Sequence, residues 1–158
     1  MSAYLTYAEA QTIADERLDT DPWDDAVTSD GSEVGDPGTL TYKSLAMATK
    51  IIDQLNYKGS KTDDDQSNQF PRDDDATVPE DINYACFEIA LALLDGVDPQ
   101  IEAENLNMIS QGYANVRSTY DRDAPMPHIA AGVPSVTAWR YLTPYLRDPY
   151  FVDFLRTS

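Results

Sequence analysis

Carboxylates are the most abundant reactive groups in this chain, and they crowd residues 63–75, which read DDDQSNQFPRDDD. Two aspartate triplets enclose a single Phe-Pro-Arg step. Such residues could hold a metal ion, contact nucleic acid through Arg72, or grip another protein subunit. Calcium loops alternate acids with other residues and use a glycine for their sharp turn. Asp63–Asp65 and Asp73–Asp75 are consecutive and no glycine lies among them, and Asp19, Asp21, Asp24 and Asp25 do not match that spacing either. Runs of aspartate repel one another and favour solvent, so no metal and no cofactor is expected.

Catalytic patterns are equally thin. The single histidine, His128, lies between Pro127 and Ile129 in a proline-rich stretch, where a surface residue is expected rather than a general base. There is no G-x-x-x-x-G-K-[ST], no G-x-G-x-x-G and no G-x-S-x-G. The chain does not read as an enzyme. In QSNQFPR, proline drives Phe70 to an extended backbone so that its ring projects outward from the local chain. The planar guanidinium of Arg72 offers five donors that can cross-link carboxylates or carbonyls across a contact. The plainer reading is a solvated loop in which Arg72 balances its aspartates.

Charge bounds the partners. The formal net charge is −17, and its distribution is uneven: −9 over residues 1–40, −3 over 41–80, −5 over 81–120 and neutral over 121–158. Phosphate binding is driven by clustered Lys and Arg, which release counterions, and no such cluster is present. A free copy should repel DNA. No run of 18 or more apolar residues occurs, so no membrane span is expected, and MSAYLTYAEAQ lacks the basic-then-apolar order of a secretory leader. The lone Cys86 cannot form an internal disulfide and hints weakly at a reducing compartment.

The elements that must carry these residues follow from periodicity. Thr6 with Glu9 is a capping-box pattern, and Ala10, Ile13, Ala14 and Leu18 continue at helical spacing to about Leu18–Thr20. Residues 19–38, rich in Asp, Ser, Gly and Pro around Trp23, read as a loop with at most a short turn near Pro22–Ala26. A second helix is predicted from about Thr41 to Leu55, with Leu45, Ala48, Ile52 and Leu55 on one face. A third starts at Pro79, carries Glu80 and Asp81 at its positive end and stops at Gly96. Ile82, Ala85, Cys86, Phe87, Ile89, Ala90, Leu91, Leu93 and Leu94 leave it few polar positions, so it is either central to the core or shared with a neighbouring subunit. Residues 99–107 read as a short helical turn or an irregular link, MISQGYANVRSTY as one or two short strands, and 121–134 as linker. Ser135 caps a last helix, VTAWRYL, ended or kinked by Pro144. The expected fold is mainly α: a small bundle of about four helices with a short β segment and an extended C-terminal tail. Residues 1–134 would form the core with its acidic loops, and 135–158 a closing helix and aromatic tail.

The order of motifs resembles the tailed-phage head–tail adaptor (connector) proteins, including those often labelled DnaT-like single-stranded-DNA-binding. Tyr4 with Glu9-Ala10 is followed by Trp23, then LAMATKIID at 45–53, YKGSK at 57–61, QSNQFPR at 66–72 and VPEDINYACFEIAL at 78–91. MISQGYANVRSTY and AWRYLTPYL are similar to the family's short β segment and closing helix. Tyr57 and Phe70 stand where tryptophan is common, Asn68 stands at a usually apolar position, and the aspartate triplets are this chain's own. The resemblance implies a non-enzymatic ring of like copies, typically twelve, beneath the portal of a phage capsid. Such a ring extends the DNA channel, lets genomic DNA pass without specific binding, and links to the tail or the next neck protein. It would be made in the host bacterial cytoplasm and end at the head–tail junction of the virion. On that resemblance Gln66, Gln69, Phe70, Pro71 and Arg72 lie near a subunit boundary. Trp139, Tyr141, Tyr145, Tyr150, Phe151 and Phe154 then form a docking surface for a partner, the portal being favoured. Two rival readings remain: a single-stranded nucleic-acid binder that stacks bases on tyrosines, which would need a basic groove, and a small acidic regulator that mimics DNA.

Overall fold

Thr6 opens the first helix, α1 (Tyr7–Asp15), through the full capping box: its hydroxyl accepts from Glu9 N, and the Glu9 carboxylate accepts from Thr6 N at 2.8 Å. The computed structural model describes residues 2–106, 110–113, 116–119 and 126–147. The remaining elements are α2 (Asp21–Asp30), α3 (Leu40–Asp53), α4 (Glu80–Leu94), α5 (Pro99–Leu106), β1 (Ser110–Tyr113), β2 (Val116–Thr119), α6 (Pro127–Ala130) and α7 (Val136–Leu142), with single 3-10 turns at Gly31–Glu33 and Thr143–Tyr145. The fold is mainly α, as expected. Seven helices stand among the described residues rather than about four: the stretches read as loop and linker hold α2 and α6, and 99–107, read as a short helical turn or an irregular link, holds α5. The extended tail expected beyond Arg147 lies outside the described residues.

The largest correction is α2. Acidic composition hid its pattern, yet Pro22 suits a first turn and Asp21 and Asp24 suit the positive end of the helix. Trp23 and Ala26 then fall on one buried face with Val27 half-buried beside them. Trp23 is fully buried, donates through Nε1 to Gln11 Oε1 at 3.0 Å, and meets Phe87 edge-on at 5.4 Å between ring centroids. Similarly, α5 starts where Asp98 Oδ1 accepts from Gln100 N. His128, expected on the surface of a linker, sits in α6 and is buried, which pushes its pKa down.

At the centre lies α4. Ile82, Ala85, Cys86, Phe87, Ile89 and Ala90 are all buried, covered chiefly by α3 and α7 and also by α1 and α2. Of the two readings of this helix, the intramolecular core is the one realised. α7, expected to open a C-terminal docking segment, packs along α4 and adds Ala138, Trp139 and Leu142 to the same core, followed by Leu146. β1 and β2 form an antiparallel pair with Ser110 opposite Thr119 and Tyr113 opposite Val116. Among the described residues no helix is long and apolar enough to cross a membrane.

A remote cap joins α2 to α3. Asp30, the last residue of α2, accepts from Leu40 N and Thr41 N at 2.8 Å each, and from Thr41 Oγ1 at 2.7 Å. Desolvation acts to raise the pKa of this carboxyl, but the two backbone donors and the Thr41 hydroxyl outweigh it, so the net shift is downward. Asp30→Ala should therefore lower stability by about 0.5–2 kcal/mol, the usual worth of a helix cap, read by urea unfolding. A carboxyl with a depressed folded pKa stabilises above its unfolded pKa and loses that contribution as pH falls through the folded one. The difference between wild type and variant should accordingly be full at neutral pH and shrink as the solution is acidified below the ordinary aspartate range.

Candidate functional site

The Phe-Pro-Arg segment lies in a loop spanning residues 57–75, between α3 and α4. Backbone bonds from Asp73 N to Ser60 O at 2.8 Å and from Thr62 N to Pro71 O at 3.2 Å pair its two limbs, and Lys61 and Arg72 face each other in a bridge. Gly59 permits the tight turn on one limb. Its φ is +69°, and a Cβ there would stand 2.2 Å from both carboxylate oxygens of Asp73, whose Oδ1 accepts from Ser60 N.

Arg72 fills the middle of this loop. Its Nε donates to Lys58 O and its Nη2 to Gly59 O, each at 2.8 Å, while Nη1 donates to Gln69 Oε1 at 2.8 Å and Gln69 O at 3.3 Å. The guanidinium also lies 5.7 Å from the Tyr57 ring centroid, within reach of its π face. Sequence reasoning gave Arg72 either to solvent or to a neighbouring subunit. The structure turns it inward, because backbone carbonyls forced into a tight loop need donors that the loop's own N–H groups cannot supply.

Gln66 does related work. Its Nε2 donates to Asn68 O at 3.0 Å and Pro71 O at 2.9 Å, and its Oε1 accepts from Asp63 N at 3.2 Å. Phe70 is buried, with the rings of Tyr57, Tyr145 and Tyr4 edge-on to it at 4.7, 5.6 and 6.2 Å. The sequence-derived interface set, Gln66, Gln69, Phe70, Pro71 and Arg72, is thus brought together in one loop. The donors of Arg72 and the Gln66 amide are engaged within that loop.

The loop is also a junction for distant parts of the chain. Asn68 is buried and donates through Nδ2 to Ser2 O at 2.8 Å, which explains a polar residue at an otherwise apolar position. The Tyr4 hydroxyl donates to Asp53 Oδ1 and accepts from Phe70 N at 3.1 Å, while Gln69 N donates to the same carboxylate oxygen at 3.0 Å. Burial first, and then the Asp53 carboxylate, push the Tyr4 phenol well above its ordinary pKa. On the other side, Lys58 N donates to Tyr145 O and Arg147 N to Asn56 O, both at 2.9 Å. The roles of Tyr4, Asp53 and Gly59 were missed. The one signal was their place within quoted motifs, which does not reveal the contact.

The expected docking aromatics divide differently. Trp139 is buried in the core, Tyr141 stacks on Tyr84 at 5.6 Å between centroids, and Tyr145 packs on Phe70 while donating to Asp81 Oδ2 at 3.3 Å. Tyr150, Phe151 and Phe154 lie outside the described residues. Among the described residues no group of three or more His, Cys, Asp or Glu side chains could hold a metal ion. Cys86 is buried, which pushes its thiol up to about 12 and leaves it an unreactive packing residue.

An aromatic-lined loop built around Q-x-x-Q-F-P-R, set between the LAMATKIID and VPEDINYACFEIAL helices, is the feature that bears comparison with known proteins. A family described as "Putative DnaT-like ssDNA binding protein" matches residues 1–139. The chain belongs to this DnaT-like family. The match runs from the segment before α1 into α7 and takes in the whole Arg72 loop. No match was found among curated proteins or among solved structures.

Because the loop's carbonyls depend on a planar fork of donors, a point charge should not replace it. Arg72→Lys should lower stability by about 1–3 kcal/mol, the cost of leaving buried polar groups unpaired, measured by denaturant unfolding. Tyr4→Phe removes the hydroxyl shared by Asp53 and Phe70 N. It should lower the melting temperature and speed hydrogen exchange at the Phe70 amide, while Tyr42→Phe, at an exposed site, should do neither.

Proposed function

We propose that this member of the DnaT-like family is a structural head-to-tail adaptor of a tailed bacteriophage: a ring of like copies, twelve in the typical case, seated beneath the portal. The ring extends the DNA channel and passes the connection to the tail or the next neck protein. It carries out no reaction. The observation that favours this reading most is the inward commitment of Arg72, the cation of the family-like motif, to carbonyls of its own loop. That motif then serves architecture rather than phosphate binding. Arg17 is likewise occupied, pairing with Asp19 and Glu88. With these two arginines held this way and a net charge of −17, a channel wall built from such subunits repels the genome and lets it slide during ejection.

The family's description favours a second reading, a protein that binds single-stranded DNA. That activity joins a basic groove to exposed aromatic platforms. Among the residues whose side-chain burial is described, Tyr42 is the one exposed aromatic, and Tyr4, Tyr7, Tyr57, Tyr84, Tyr141 and Tyr145 are buried or half-buried. The arrangement supports the adaptor better.

Two measurements separate the readings. A single-stranded oligonucleotide at low salt should migrate unretarded at high protein concentration; a discrete, salt-sensitive complex would favour the nucleic-acid binder. Imaging of virions should find this polypeptide in a rotationally symmetric layer at the neck, and its location elsewhere would remove the adaptor reading.

A further inference from the structure

Two faces among the described residues complement each other. The first is the outer face of α3. Tyr42 and Met47 are large apolar residues left 42% and 51% exposed, and the exposed Lys43 and Lys50 flank Met47 one turn to either side. Neither lysine is ion-paired among the described residues, where the salt bridges belong to Arg17. In a chain with 11 basic residues against 28 acidic ones, two unpaired lysines around an exposed methionine make a distinctive strip.

The second face is a groove of about 440 Å³ between the end of α1, the start of α2, the C-terminal half of α4 and the start of α7. Leu91, Ala92 and Pro22 give it an apolar floor; Arg17 pairs there with Asp19 and Glu88, and Asp21 and Asp95 leave the groove net negative. Leu18, between the groove residues Arg17 and Asp19, is 103% exposed and touches nothing that would hide it.

These faces lie on opposite sides of the molecule. Cys86 of α4 meets Leu45 and Thr49 of α3, whereas Glu88 meets Arg17 in the groove. A step of two residues along an α-helix turns about 200° around its axis. The same step on α3 separates the buried Leu45 from the exposed Met47. The basic-apolar strip therefore points away from α4 on one side, and the acidic groove opens on the other. Two complementary patches on opposite sides of one chain make a head-to-tail contact, which closes into a ring when the rotation allows.

We propose that the Tyr42–Lys43–Met47–Lys50 face of one copy docks into the Leu18-rimmed acidic groove of the next. Met47 packs against Leu18 and the groove floor, and the two lysines, about 10 Å apart along the helix, reach the carboxylates of Asp21 and Asp95, Asp19 being held by Arg17. The proposal rests on the ring reading above and names its contact surface.

The test pairs cross-linking with charge reversal in the full chain, both in concentrated solution and on portal-bearing heads. Leu18→Cys with Met47→Cys in one chain should give a ladder of linked copies with a short bismaleimide. Either cysteine alone should give none, because each contact then holds a single thiol; Cys86 is buried and supplies no background. Lys50→Glu and Asp95→Lys, both at exposed positions, should each raise the concentration needed for assembly by about tenfold or more, and the double reversal should recover it. Thermal melting of each variant should match wild type, which separates assembly from folding. If wild type forms its ring while these variants assemble unchanged, or if the cysteines link to a different neck polypeptide, the proposed contact is wrong and the ring stands. If wild type builds no multi-copy layer on heads at all, the ring reading falls and this contact with it.

Discussion

A helix with Ile82, Ala85, Cys86, Phe87, Ile89 and Ala90 all out of water must be covered on nearly every side, and that requirement organises the rest of the chain. α3 and α7 lie against it most extensively, while α1 and α2 close the remaining angles. Covering α4 also imposes polar solutions inside the core. Thr49 is fully buried, and its hydroxyl donates to Leu45 O and accepts from Tyr4 N, both at 3.0 Å. Tyr57 buries its ring and donates to Ile52 O at 2.7 Å. Each is a polar group made tolerable by a named partner.

The loop between α3 and α4 solves a second problem that the first creates. Segments entering and leaving the bundle, residues 2–4 and 144–147, need an anchor outside the helices. The loop provides it through Tyr4, Asn68 and Phe70 on one side and Lys58 and Tyr57 on the other. A loop this tightly folded turns several carbonyls inward, and one guanidinium satisfies three residues' worth of them. Arginine suits that position for its planar array of donors. The aspartates around it remain exposed, and their charge contributes to an anionic exterior.

An electronegative exterior also sharpens the meaning of its exceptions. Repulsion between like copies is the default for a chain at −17, so self-association needs a face where attraction is concentrated. Screening by salt reduces the general repulsion more than it reduces a close lysine–carboxylate contact beside packed apolar groups. A ring assembled in this way would be specific in register while its individual contacts remain modest.

Several elements were legible from local pattern alone. Thr6 with Glu9 specified a capping box, the spacing of Leu45, Ala48 and Ile52 specified α3, and the apolar run from Ile82 specified α4, since each signal lies within a few turns of the element it describes. The short β segment was readable from its β-type residues in the same way. Other features depend on residues far apart in the chain. α2 looks like an acidic loop until Trp23 is seen against Phe87, and Asp30 looks like surface charge until the first turn of α3 is placed beside it. Arg72 could have served solvent, a neighbour or its own loop, and Trp139 could have served a partner or the core. Sequence by itself therefore determined the helical class, the acidity and the central helix. Tertiary structure alone decided which polar groups turn inward, because that depends on which distant carbonyls and rings the fold brings within hydrogen-bonding and packing distance.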